Sequence, residues 1–515
     1  MNLHTIMKKR KSGVLCHISS LVSSFGIGDL GQNAYDFVDY LGSAKQSIWQ
    51  ILPINPTSFG DSPYSSFSSF AGNPLFICPQ LLVDWDLLSP ADIVHNINFP
   101  ENKIDYSAVI KLKTAIFKKA YANFSPNRWY MDFTAKNAGW LEDYALFKAL
   151  KEHFIAERAQ GALPNGQNAD YYYGAVWSTW DSALVARCPD EIDKYRELLA
   201  NEIGFHKFLQ FIFYKQYALL KKYAADAGIM IAGDIPIFVA YDSADVWANQ
   251  GLFQLAADGT PTSVAGVPPD YFSEDGQLWG NPLYDWEANK QTDYIWWSYR
   301  IAKAMEVFDI IRLDHFRGFY SYWEVPYGAK TAKTGKWQRG PGLDFFNSIK
   351  KRLGDLPIIA EDLGIITPNV EKLLTWLGLP GMRVLQFAFD QNPKNTHLPH
   401  NFTTSNLVVY SGTHDNNTTA GWYADAPEAE RDLFRRYLNV SGNFAPWDMI
   451  RAALLSTANL AIIPIQDLLS LDSAHRTNTP GTPQGNWQFR LSPHQLDPAH
   501  AKNLAYLTKL SSRLP

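Results

Sequence analysis

Cysteine is almost absent: Cys16, Cys78 and Cys188 are the three in 515 residues, without CxxC spacing or an even-numbered framework. So few thiols exclude a disulfide scaffold and point to a reducing compartment. Excess positive charge is missing too, since 46 Lys and Arg stand against 51 Asp and Glu for a net charge of -5. A surface for nucleic acid needs the opposite balance. No apolar run approaches the roughly 18 residues of a membrane span. The basic run Lys8-Lys9-Arg10-Lys11 leads into Cys16, His17 and several serines, not into the apolar stretch of a signal peptide. Solenoid repeats and long low-complexity tracts are also lacking. These absences predict a soluble, cytoplasmic, globular protein with neither nucleic acid nor membrane as partner.

Aromatic residues, in contrast, are plentiful. Seventeen Trp and 26 Tyr occur, many of them in stretches rich in Gly, Pro and Asn. In loops such rings stack on the apolar faces of sugars while their polar tips hydrogen-bond hydroxyls.

Eight short apolar segments read as buried strands: 13–18, 47–52, 229–235, 309–314, 357–361, 382–387, 407–412 and 461–466. Eight is the number that closes a (β/α)8 TIM barrel, and helical periodicity follows several of them. The reading is therefore an α/β fold, one catalytic barrel over 1–515 with two insertions. The first, at about 80–225, is helical, with helix-like 111–121, 142–153 and 205–225. The second, 241–286, is dense in aromatics and includes Val267-Pro268-Pro269-Asp270-Tyr271-Phe272 and Gln277-Leu278-Trp279-Gly280-Asn281-Pro282. It reads as a lid over the catalytic face. The tail after Asp467 reads as a loop and a closing helix.

Four of the strands end in acids, namely Asp234, Asp314 in Arg312-Leu313-Asp314-His315-Phe316-Arg317-Gly318, Glu361 in Ala360-Glu361-Asp362-Leu363-Gly364, and Asp415 in Gly412-Thr413-His414-Asp415-Asn416-Asn417. Each alone also fits a structural role: an Arg–Asp pair, a buried carboxyl, an ordinary turn. Together, at one rim of a barrel, they fit catalysis. Arg312 and Asp314 share a strand face, and a guanidinium favours the ionised carboxylate that a nucleophile needs. Glu361 ends an apolar run, where desolvation keeps a carboxyl protonated as a general acid. His414 and Asp415 together donate and accept hydrogen bonds, as sugar hydroxyls require. Clustered carboxylates also hold divalent ions. Arg312 argues against that here, because a fixed cation already occupies the place.

These segments, with Gly233-Asp234-Ile235-Pro236-Ile237-Phe238-Val239, Gly60-Asp61-Ser62-Pro63-Tyr64, Trp279-Gly280-Asn281-Pro282 and Gly485-Asn486-Trp487, resemble the motif set of the 4-alpha-glucanotransferase family. That is the amylomaltase or disproportionating-enzyme family of the alpha-amylase superfamily, here in its shorter type. The resemblance runs over nearly the whole chain. It implies a retaining double displacement with Asp314 as nucleophile, Glu361 as acid and Asp415 gripping the distorted ring. It also implies substrate contacts from Tyr64, Asp234, Trp279, Asn281, Arg312, His414 and Asn486, with malto-oligosaccharides and α-1,4-glucans as partners and no metal or organic cofactor. Carboxylates alone leave a retaining hydrolase, or a non-catalytic glucan-binding protein, as alternatives. The resemblance and the aromatic lid favour transfer.

Overall fold

The computed structural model describes residues 9–160, 175–269, 274–482 and 484–515. Eight parallel strands form the centre: β1 Lys11–Leu15, β2 Ile48–Gln50, β3 Met230–Ile235, β4 Ile310–Leu313, β5 Ile358–Ala360, β6 Gly381–Val384, β7 Leu407–Tyr410 and β8 Leu460–Pro464. Their ladder order is β6-β7-β8-β1-β2-β3-β4-β5. The seam between β5 and β6 is closed by single bonds: Ala360 N–H donates to Pro380 O at 2.9 Å, and Met382 N–H to Asp362 Oδ1 at 2.5 Å. This is a (β/α)8 barrel.

Parallel strands covered on both faces must be apolar along their length, which is why these segments read as continuous runs. All the ladders but that of β3 stop one to three residues earlier than the runs do. Beyond β6 the chain turns at Leu385–Phe387, and beyond β8 it enters a short helix at Ile465–Leu468. An apolar run records burial, and burial continues into these turns. Gly13 leaves β1 and β2 room for a close approach, since a Cβ there would lie 2.3 Å from Ile48 O.

Between β2 and β3 lie the helices α1 Tyr106–Ala122, α2 Arg128–Gln160 and α3 Ala200–Asp226. All are longer than their periodic cores. Asp105 extends α1 by capping it, its carboxylate accepting from Ala108 N–H at 3.0 Å, and α2 begins with exposed Trp129 and Met131. Periodicity detects only the packed face of a helix. Buried α3 also fastens the segment after the Tyr64 loop. Gln210 exchanges two hydrogen bonds with the Gly72 peptide at 2.8 and 2.9 Å, and Gln216 two with Cys78 at 2.7 and 3.1 Å.

The aromatic excursion contributes strands Ser263–Val267 and Gln277–Pro282 to a four-stranded antiparallel sheet. Its other two strands, Ser321–Pro326 and Lys336–Arg339, come from the connection after β4. That half was not visible as an element in the sequence. Asp270, Tyr271 and Phe272 of the expected lid, and Pro483 of the tail, lie outside the described residues. The closing helix is Pro498–Leu510. No helix among the described residues is long and apolar enough to cross a membrane.

Candidate active site

Strand register brings the acids together. Asp234 pairs with Arg312 in the β3–β4 ladder, and Leu313 with Ala360 in the β4–β5 ladder. Asp314 and Glu361 therefore leave neighbouring strands side by side. Their peptides are fixed as well: Asp314 N–H donates to Ile235 O and Glu361 N–H to Leu313 O, both at 3.0 Å.

Arg312 lies between two carboxyl groups, with Nη1 2.6 Å from Asp234 Oδ2 and 2.9 Å from Asp314 Oδ1. Burial would pull its pKa down, but the two acids outweigh burial and hold it well above the usual value. Asp234 is enclosed, and burial pushes its carboxyl up to about 7 while Arg312 pulls the other way. The Tyr64 hydroxyl donates to its Oδ2 at 2.8 Å, and its Oδ1 has no hydrogen-bond partner among the described residues. Of the three side chains, Asp314 opens most to the cleft, at 27% exposure against 5% for Arg312.

Glu361 is held at both oxygens. His315 N–H donates to Oε2 at 2.8 Å and Leu363 N–H to Oε1 at 2.7 Å. Two donors favour the carboxylate, yet burial dominates, opposed by Arg312 and reinforced by Asp314, and pushes its pKa up to about 8. At neutral pH this group keeps its proton. The donor His315 adopts a left-handed backbone, φ 48°, which aims the peptide following Asp314 at Glu361. Burial lowers its imidazole pKa to about 4, so the ring is neutral.

Across the mouth, His414 Nε2 lies 3.3 Å from Asp415 Oδ1. Burial lowers the His414 pKa, with Asp415 opposing. His414 stacks on Tyr64, centroids 5.0 Å apart at 17°, and Trp487 sits 5.9 Å from His414 and 5.7 Å from Tyr64. Two residues not singled out from sequence brace Asp415: Asn478 Nδ2 donates to its Oδ1 at 2.7 Å, and Arg476 Nη2 to its carbonyl at 2.5 Å. Asp467, just past β8, fixes the same loop from behind, accepting from Ser411 Oγ at 2.5 Å and from Thr419 N–H and Oγ1 at 2.7 Å.

The structure separates the remaining expected contacts. Trp279 is 38% exposed, and its ring meets His315 edge to face at 4.9 Å and 85°. Asn281 instead ties its strand to the loop after β3, donating to Val239 O at 2.8 Å. Asn486 knits its own loop: Oδ1 accepts from Thr479 N–H at 2.9 Å, and Nδ2 donates to Thr482 O at 2.9 Å. Its neighbour Trp487 and the upstream Asn478 lie against His414 and Asp415. Sequence signals for them existed, since Trp487 stands in the quoted Gly-Asn-Trp segment and Asn478 in Thr477-Asn478-Thr479-Pro480-Gly481.

The rim thus offers a proton-bearing carboxyl beside a more exposed one that rests against a fixed guanidinium. Among the described residues no three His, Cys, Asp or Glu are grouped to hold a metal ion.

Known proteins share this chain throughout. The 4-alpha-glucanotransferase family model matches residues 16–496. The chain is 44% identical to the 4-alpha-glucanotransferase of Synechocystis sp. over 99% of both chains. It is 43% identical to that of Thermus thermophilus, over 98% of this chain and 99% of that one. The amylomaltase of Streptococcus agalactiae, solved in complex with acarbose, superposes with a TM-score of 0.92 at 39% identity over 98% of this chain and 100% of that one. The chain belongs to the 4-alpha-glucanotransferase family.

Proposed function

We propose that this protein transfers α-1,4-glucan segments between malto-oligosaccharides by a retaining double displacement on Asp314 and Glu361. The observation that carries this reading is the unequal pair on β4 and β5: Glu361 buried and protonated to about pH 8, Asp314 more exposed and 2.9 Å from Arg312. Asp314 attacks the anomeric carbon as Glu361 gives its proton to the departing glycosidic oxygen. The bond that forms is a glycosyl ester on Asp314, and the reducing-end fragment leaves as an alcohol. Glu361, now ionised, takes the proton from the 4-hydroxyl of an acceptor glucan, whose oxygen displaces Asp314. Net configuration is retained.

The other groups orient the ring. Asp415, braced by Asn478, accepts from sugar hydroxyls, and neutral His414 donates or accepts beside it. Tyr64, His414 and Trp487 form an aromatic wall, and Asp234 fixes Arg312 and Tyr64 from below. Trp279 against His315 shields the intermediate from water, which favours a sugar over a water molecule as acceptor. The barrel, the helical insertion and the antiparallel sheet act as one catalytic unit. Cys16, Cys78 and Cys188 as free thiols suit a cytoplasmic setting.

Incubation with maltotriose alone tests the reading. Glucose together with maltodextrins longer than maltotriose is expected, at constant total reducing ends. A steady rise in reducing ends without longer chains would make the protein a hydrolase, and unchanged maltotriose would make it a glucan-binding protein.

A further inference from the structure

We infer that Arg317, which the reaction above leaves unused, is a positioning residue joining three parts of the rim: the turn after Asp314, the loop after Glu361 and the antiparallel sheet that carries Trp279. Arg317 lies in the turn Phe316–Phe319 and is 6% exposed. Its Nη1 donates to Ile365 O, four residues beyond Glu361. Its guanidinium lies over the Trp337 ring, with Cζ 3.7 Å from the centroid. Trp337 in turn meets its cross-strand partner Trp323 edge-on at 5.1 Å. From Trp323 the ladder continues through Gly266 to Leu278, the neighbour of Trp279. One guanidinium therefore links the acid loop to the sheet.

The residue type suits the task. A planar, weakly hydrated cation can stack on an indole and still donate from its edge, which an ammonium cannot. No carboxylate pairs with Arg317 within 4.0 Å among the described residues, and its Nε has no hydrogen-bond partner. A buried cation without an acid is costly for the fold. Its return is the position of Ile365.

Ile365 ends the turn that starts at Glu361 and passes Gly364 with φ 81°. Leu363 N–H, within that turn, is one of the two donors that aim Glu361. With Ile365 O released, the turn can swing about Gly364 and carry Leu363 N–H away from Oε1. Losing that donor disfavours the ionised carboxyl, so Glu361 holds its proton to higher pH. The other groups facing it stay in place: Arg312 and Asp314 from β4, and Asp362, which is paired with Arg383 of β6 at 3.2 Å.

This inference rests on Glu361 as the acid, and the experiment separates the two. In the full chain, Arg317→Ala is expected to lower kcat/KM for maltotriose disproportionation about ten- to a hundredfold, mainly through kcat, and to move the alkaline limb of the pH profile upward. Millimolar guanidinium should restore part of the rate, and Arg317→Lys should fall between Ala and wild type. Trp337→Leu keeps the bond to Ile365 and loses the stack, so a smaller drop in the same direction is expected even if Arg317→Ala folds poorly. An unmoved alkaline limb in folded Arg317→Ala, or no guanidinium rescue, would overturn the positioning role. If Glu361→Gln keeps its activity within about tenfold, the acid assignment itself fails, independently of Arg317.

Discussion

The two ends of the barrel each bury an arginine, and they treat it in opposite ways. At the C-terminal rim Arg312 meets the carboxyls of Asp234 and Asp314. At the N-terminal end Arg513, fully buried, meets five backbone carbonyls instead: Leu454, Ser456, Ala458, Asn459 and Lys11, at 2.7 to 3.3 Å. Burial pulls the Arg513 pKa down, with Arg10 nearby adding to it, whereas the acids hold that of Arg312 up. One arginine closes the floor with neutral dipoles, and the other arranges charge for chemistry. Placing reactivity at the strand C-termini and stability at the N-termini is the general division of labour in these barrels.

That contrast can be broken at either end. Arg312→Met should cost about a thousandfold in kcat/KM, comparable to losing a main electrostatic stabiliser, while the circular dichroism spectrum stays native. Arg513→Met should do the reverse, removing five hydrogen bonds to carbonyls, although Leu454 O and Ser456 O keep Arg10 and Asn459 O keeps Lys11 N–H, and lowering stability by about 3 kcal/mol in denaturant titration. The kcat of the folded fraction should stay at the wild-type value. Arg513→Met with a lowered kcat at full folding would mean that the floor reaches the chemistry.

Smaller changes sharpen the picture of the rim. Asn478→Ala frees the Asp415 carboxylate from its brace, and a drop of about tenfold in kcat/KM for maltotriose is expected. A smaller effect follows from proton linkage. The folded chain holds the Glu361 proton up to about pH 8 against an ordinary value of 4.5, so this contribution to stability is complete below 4.5, declines as pH rises and is gone above 8. Glutamine stays neutral throughout. Glu361→Gln should therefore melt a few degrees above wild type near pH 9 and show no such advantage near pH 4, as differential scanning calorimetry would reveal.

The rim was readable in the sequence because strand and chemistry coincide there. Buried parallel strands are apolar, so Asp234, Asp314 and Glu361 stand out as acids ending apolar runs, and the ladder register then fixes their neighbours. Arg513 carried no such signal: an arginine in a polar tail gains its role only when the tail folds back under β1 and β8. Asn478 and Arg476 sit in a loop whose path depends on long-range bonds, such as Gln466 Nε2 to Thr477 Oγ1 at 2.8 Å. Asn486 illustrates the same point, because its amide bonds to Thr479 and Thr482 within its own loop follow from that loop's path. Strands Ser321–Pro326 and Lys336–Arg339 were invisible because they are short and partly exposed, and the first pairs with a segment more than fifty residues earlier while the second pairs only with the first.

The central claim is that Asp314 carries the glucan between donor and acceptor. Glu361→Gln incubated with an α-maltotriosyl fluoride tests it directly, since fluoride leaves without a proton while the second step lacks its base. Mass spectrometry of a peptic digest should then find a maltotriosyl group on the peptide containing Asp314, lost on adding azide. A glycosylated peptide elsewhere, or no adduct while the fluoride is consumed, would contradict the account.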